Sequence, residues 1–236
     1  MSFQKKLFFV SVLFLIAFTL FSWGIKKGAL RTMDFAFTVK VQDAIDSSAR
    51  LRTKELVGDI MEGSTFFASP EFSVIVVLLL TGIAAFDRKK KKIRLAAILI
   101  PLVFAFLVGA EIFGKNVVHH PAPPFFMIKN PTTIFPKYYI NEQFSYPSGH
   151  SARAVFMSSV FVLVCGNALN IFARRKRLIA TGVGIVGYVS LVALSRIYLG
   201  HHWLSDILGG VLLGLGCGLS TWVFHERLSV IPKGHL

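Results

Sequence analysis

Acidic residues are scarce in this sequence: 12 Asp and Glu stand against 26 Lys and Arg, a formal net charge of +14 over 236 residues. Only two cysteines occur, Cys165 and Cys217, and both fall inside apolar runs, which excludes a disulfide framework or a thiolate zinc site. Apolar residues make up 54% of the chain, including 23 Phe, and mean hydropathy is +0.63, more than a soluble core of this size needs. The basic residues lie in short clusters between apolar runs, the pattern of cytoplasmic membrane loops, and this argues against a nucleic-acid partner. The composition is that of an integral membrane protein whose partner is the lipid bilayer.

Six apolar runs, at about 7–23, 72–86, 95–112, 151–172, 178–194 and 207–224, predict an all-α, six-span transmembrane helical bundle forming a single membrane domain, 1–236. The first run reads as a retained span rather than a cleaved signal, because Phe21-Ser22-Trp23-Gly24 is bulky where a cleavage site needs small residues. Between the first two runs, residues 25–71 carry seven basic and seven acidic residues. Phe37, Val41, Ala44, Ile45, Leu56, Val57 and Ile60 recur there at helical spacing, predicting one or two amphipathic interfacial helices, the second ending at Gly63-Ser64. In the sixth run, Gly209, Gly210, Gly214, Gly216 and Gly218 allow close helix packing.

Charge sets the expected orientation. The amino terminus, the 87–94 loop, the 174–177 loop and the tail after Phe224 hold 14 of the 26 basic residues, against only Asp87 and Glu226. That side should be cytoplasmic, with both termini inside and segment 25–71 outside. Lys115, the stretch Tyr146–Arg153 and the stretch Ser195–Asp206 then open on the outer, extracytoplasmic face of the cytoplasmic membrane.

Ser195–Asp206 carries ionisable groups where two apolar runs meet, a costly placement that points to function. If the chain is helical from Trp203, His202 and Asp206 share a face. The carboxylate then accepts from one ring nitrogen and leaves the other free to attack. Arg196 offers a planar fork for a phosphate or another oxyanion. In Tyr146-Pro147-Ser148-Gly149-His150, Pro and Gly turn the chain into the fourth helix, so the amides of Ser148 to His150 form an anion site, or Ser148 is an ordinary cap. Glu111, one turn before Lys115, either holds its ammonium or anchors the helix end at the interface. His201 is expected to face away from the His202–Asp206 pair.

Pro147-Ser148-Gly149-His150, together with Ser195-Arg196, His202 and Asp206 at their spacing, resembles the second and third motifs of the type 2 phosphatidic acid phosphatase family, from Lys115 through the sixth run. The resemblance implies a six-span helical core. It also implies a nucleophilic His202 that becomes phosphohistidine, Asp206 orienting it, and His150 protonating the leaving oxygen. Lys115, Arg196, Ser148 and the Gly149 amide would hold phosphoryl oxygens, with no metal and no cofactor. The family's first motif is a Lys, six intervening residues and then Arg-Pro; here Lys115 and Pro123 are in place and Ala122 stands at the Arg position. His119, His120 and Lys129 are the candidate substitutes. The related vanadate-binding haloperoxidases are soluble, unlike this chain.

The expected function is metal-independent hydrolysis of a lipid phosphate or diphosphate, with undecaprenyl diphosphate favoured over phosphatidylglycerophosphate, phosphatidic acid and lipid A phosphate. Two other readings stand beside it: a degenerate phospholipid-binding or transport protein, which Ala122 favours, and a lipid phosphotransferase sharing the same intermediate.

Overall fold

The computed structural model describes residues 3–48, 51–87, 92–93, 95–129, 143–166, 169 and 171–223. Most of the basic run after Asp87, the middle of the loop before Tyr146, part of the end of the fourth expected run and the tail from Phe224 lie outside the described residues. The described fold is helical: α1 (Phe3–Lys26), α2 (Arg31–Ser48), α3 (Leu51–Phe66), α4 (Pro70–Ala85), α5 (Leu99–Val118), α6 (Gly149–Cys165), α7 (Arg175–Tyr198) and α8 (Leu204–Trp222). A two-residue antiparallel ladder pairs Phe86 with Ile93 and Asp87 with Lys92.

The six apolar runs fall on α1, α4, α5, α6, α7 and α8, but these are not six equal spans. Among the described residues α1, α5 with its preceding turn (Ala96–Val118), α7 and α8 are long and apolar enough to cross a membrane. The end of α3 and the whole of α4, bent by 46°, make a fifth crossing if they act as one broken span. α6 has 17 residues, a rise of roughly 26 Å at about 1.5 Å per residue, short of the ~30 Å hydrocarbon core. It is the centre of the bundle, buried from Ser151 to Met157 and packed on α8, α4 and α7.

The glycines of α8 let α6 come close. A Cβ at Gly214 would stand 2.6 Å from the Ala152 carbonyl oxygen, and one at Gly210 would strike the Ser148 carbonyl oxygen. On another face of α8, the Ser11 hydroxyl of α1 donates to the Gly216 carbonyl at 2.8 Å. Phe104, Leu107, Phe156, Leu163 and Leu213 fill the core between α5, α6 and α8.

Helices form between the first two runs as their spacing predicts, with one difference in extent. α3 continues through Gly63 and Ser64 to Phe66. The Ser64 hydroxyl donates to the Met61 carbonyl at 2.8 Å and meets the Ser195 hydroxyl of α7 at 2.6 Å, so a tertiary contact holds the extra turn. α2 turns its polar face to the protein: Asp34, Thr38 and Gln42 are buried, while Met33 and Phe35 are 60% and 50% exposed. Gln42 Nε2 donates to the Met127 and Tyr198 carbonyls at 2.8 and 2.9 Å.

Candidate active site

The turn between α7 and α8 sets the position of His202. The Arg196 carbonyl accepts the amides of both His201 and His202, at 3.0 and 3.2 Å, which folds the chain back over the end of α7. Gly200 makes this reversal with φ +71°, and a Cβ there would strike the Met127 carbonyl oxygen, so the position requires glycine.

α8 begins at Leu204, so His202 stands just before the helix rather than on its face. The turn still delivers it to Asp206. Asp206 Oδ2 accepts the Trp203 amide at 2.8 Å and faces His202 Nδ1 at 3.4 Å. That second approach has ion-pair range but not the alignment of a made hydrogen bond, a looseness common in empty catalytic sites. Both side chains are buried, and the carboxylate's proximity to Nδ1 leaves Nε2 as the nitrogen for attack. Burial pushes the His202 imidazole below its ordinary value, and Arg196 adds to this, while Asp206 pulls the other way. His201, also mostly buried, is pushed down to about 2 by burial and then by Arg196 and His202.

The stretch before α6 is tied to the same point. The Ser148 amide donates to the Asp206 carbonyl at 2.9 Å, Ser145 N to His120 O at 3.0 Å, and Ala122 N to Gln143 O at 3.1 Å. Ser148 is the N-cap of α6, its hydroxyl 3.5 Å from the Ser151 amide, and Gly149 and His150 open the helix. Gly149 lies so close to the Glu111 carboxylate that no Cβ fits between them. Arg196, Arg153, His201 and His202 all lie within electrostatic reach of His150. The arrangement brings His202, Asp206, Arg196, Ser148, Gly149 and His150 together at the first turns of α6 and α8.

Lys115 sits in the last turn of α5, 3.6 Å from Glu111 as its i,i+4 spacing predicts. The other Glu111 oxygen accepts from Arg153 Nη1 at 2.6 Å, and Arg153 Nε donates to the Ala68 carbonyl at 3.0 Å. The motif resemblance gives Arg153 no role; its sequence signal is an arginine in the first turns of a largely apolar run, and its burial is a structural finding. These three charged groups line, together with Val74, Phe104 and Val108, a cavity of about 500 Å³. The cavity meets the site at Lys115, and His202 is not part of its lining.

None of the candidates for the missing arginine is arranged as an evident phosphate clamp. His119 caps α5 with φ 54°, is exposed, and rests its ring against Phe144 with centroids 4.7 Å apart. Lys129 is paired with Asp46 at 2.5 Å. His120 is buried and turned toward carboxylates: Nδ1 is 2.9 Å from Asp206 Oδ1 and Nε2 is 3.9 Å from Asp34 Oδ2. Asp34 was missed by sequence reasoning. Its signal was the four-residue spacing of Asp34, Thr38, Gln42 and Asp46 along α2, a polar stripe rather than an apolar one.

A helical bundle with apolar membrane-length helices, whose ends gather a carboxylate-backed histidine beside arginine and lysine, has the form of a membrane phosphatase. A PAP2 superfamily model matches residues 110–229, half of the chain, and the chain belongs to that superfamily. Phosphatidylglycerophosphatase B of Bacillus subtilis (strain 168) is 26% identical over 186 residues, covering 79% of this chain and 84% of the relative. The crystal structure of a transmembrane PAP2 type phosphatidylglycerolphosphate phosphatase from Bacillus subtilis shares the fold, with a TM-score of 0.70 at 20% identity over 92% of this chain and 96% of that one. The protein is a membrane lipid phosphatase, a phosphoric monoester hydrolase.

Proposed function

We propose that the enzyme removes the terminal phosphate of a lipid phosphate through a phosphohistidine on His202. The Nε2 lone pair forms the N–P bond as the P–O bond to the lipid breaks, and His150 gives its proton to the leaving oxygen. Asp206 holds the Nδ1 proton throughout. Water, losing a proton to His150, then breaks the N–P bond and releases inorganic phosphate. Lys115, Arg196, the Ser148 hydroxyl and the amides opening α6 hold the phosphoryl oxygens. The observation that carries this reading is the buried approach of His202 to Asp206, in surroundings that keep the imidazole neutral and nucleophilic.

Phosphatidylglycerophosphate is the favoured substrate, by the named activity of the Bacillus subtilis relative and by the apolar cavity beside Lys115, which suits an acyl chain. The reaction runs on the extracytoplasmic face, with six crossings and both termini in the cytoplasm; the clustering of basic residues supports that topology.

The test is phosphate release by purified protein in detergent with EDTA, from phosphatidylglycerophosphate, phosphatidic acid and undecaprenyl diphosphate, beside His202→Ala. Release that persists with EDTA and disappears in the variant is expected, with phosphatidylglycerophosphate fastest. Fastest release from undecaprenyl diphosphate reverses the substrate assignment. No release from any lipid supports the non-catalytic reading, and Ala122→Arg is then the variant to assay. For topology, a cysteine at Lys129 should react with an impermeant thiol reagent on intact cells, and one at Arg175 only after permeabilisation.

A further inference from the structure

The interfacial helix α2 reaches the reacting centre. Asp34 is 2% exposed on a helix whose neighbouring Met33 and Phe35 side chains are largely exposed. A buried carboxylate is costly unless it is fully partnered, and Asp34 has such partners. Its Oδ1 accepts the Ser205 amide at 2.8 Å, its Oδ2 accepts the Ser205 hydroxyl at 2.7 Å, and the same Oδ2 faces His120 Nε2 at 3.9 Å.

Ser205 is the second residue of α8, and its amide is one of the helix-start donors without an intrahelical partner. A cap residue ordinarily supplies the acceptor. Here the cap is Trp203, whose indole only donates, and it donates to the Pro121 carbonyl at 2.7 Å. Asp34 therefore caps α8 from a different helix, 171 residues away in the chain.

The second contact leads to the nucleophile. His120 Nδ1 meets Asp206 Oδ1 at 2.9 Å, while Asp206 Oδ2 holds the Trp203 amide and faces His202. With both oxygens engaged, the plane of the Asp206 carboxylate is set from two sides. His120 sets one of them, and Asp34 stands behind His120.

We propose that Asp34 is a positioning residue for the His202–Asp206 pair, acting through His120 and through the first turn of α8. The proposal rests on His202 and Asp206 carrying the reaction. It gives α2 a task that its composition alone did not reveal: the helix holds the catalytic turn from its polar face while its apolar face is left outward.

Asp34→Asn keeps the shape and a carbonyl acceptor for Ser205 but removes the charge. With the lipid giving fastest release, this variant should lose about 10- to 100-fold in kcat with KM unchanged, the usual scale for removing an outer partner of a functional histidine. His120→Ala, which leaves the Asp34–Ser205 contacts in place, should lose a similar factor. The double variant should lose less than the product of the two single losses, because the route through His120 is common to both. Wild-type kcat in Asp34→Asn, or losses that multiply in the double variant, overturn the proposal. If Asp34→Asn does not fold, His120→Ala decides, and wild-type kcat in that folded variant overturns it. Activity retained in His202→Ala would instead overturn the reading of the site itself, so the two failures are distinguishable.

Discussion

The Ser148 amide donates to the Asp206 carbonyl at 2.9 Å, joining the first turns of α6 and α8. That bond requires the two helices to approach closely, and the glycines of α8 permit it. Gly210 lies against the Ser148 carbonyl and Gly214 against the Ala152 carbonyl, with no room for a side chain at either. Gly214→Leu should destabilise the protein by about 1–3 kcal/mol, the usual cost of overpacking. Gly210→Leu should in addition lower kcat, because it displaces the turn that holds Ser148. An added Cβ at Gly182 or Gly187 on α7 meets nothing, so Gly182→Leu and Gly187→Leu should lower neither stability nor rate. Thermal unfolding in detergent beside phosphate release checks all four.

The acid limb of the pH–rate profile should lie below the ordinary histidine value of about 6.5. His202 attacks only when neutral, and burial, with Arg196 adding to it, holds its pKa down. Acidification therefore removes activity by protonating the nucleophile, but only once the pH passes below that lowered value. Asp206 opposes the shift, so Asp206→Asn should move the limb further toward acid while lowering the rate. Measurement of kcat/KM from pH 4 to 9 decides the sign; a limb above the ordinary value contradicts a neutral buried His202.

Much of this site was legible because its chemistry is local in sequence. Lys115 and Glu111 pair four apart on α5 and Ser148 and Gly149 open a helix, as their spacing predicts; His202 also meets Asp206, but through the turn before α8 rather than on a shared helix face. Apolar content located α1, α5, α7 and α8. The readings that needed revision share a different cause. The loop position of His120 suggests a cationic substitute and says nothing of Asp34 or Asp206, which approach it from two other helices. The apolar residues of α2 say nothing of its polar stripe, whose burial is visible only once the bundle is assembled. Gly63-Ser64 predicts the end of α3, but the contact that carries the helix onward lies across on α7, at Ser195.

Lys129→Ala should leave kcat close to wild type. The ammonium is paired with Asp46, and both side chains are about one-third exposed, where an ion pair is worth about 0–1 kcal/mol. Tyr198 also donates to Asp46, at 3.1 Å, so the carboxylate keeps a partner when the lysine is removed. A large drop in kcat would return Lys129 to the role of the missing arginine. Assay at low and at 0.5 M salt separates the two cases further, since the Asp46 pair weakens with salt.

Glu111 is placed to matter for stability, because it joins α5 to α6. Its two oxygens serve Lys115 and Arg153, and the opening of α6 at Gly149 rests directly against it. Arg153 is 4% exposed, so Glu111→Gln leaves a buried guanidinium beside an amide that cannot neutralise it. Breaking a buried pair from one side typically costs about 3–5 kcal/mol, whereas replacing both partners with apolar residues of similar volume is often neutral. Glu111→Gln should therefore lower the unfolding temperature strongly, and Glu111→Leu with Arg153→Met should recover most of the loss. The double variant removes one negative and one positive charge beside Lys115, so the net charge of the cavity lining is unchanged. KM for the lipid phosphate should therefore stay close to wild type in that variant, while equal destabilisation in the single and double variants would show that the pair is not what holds α5 to α6.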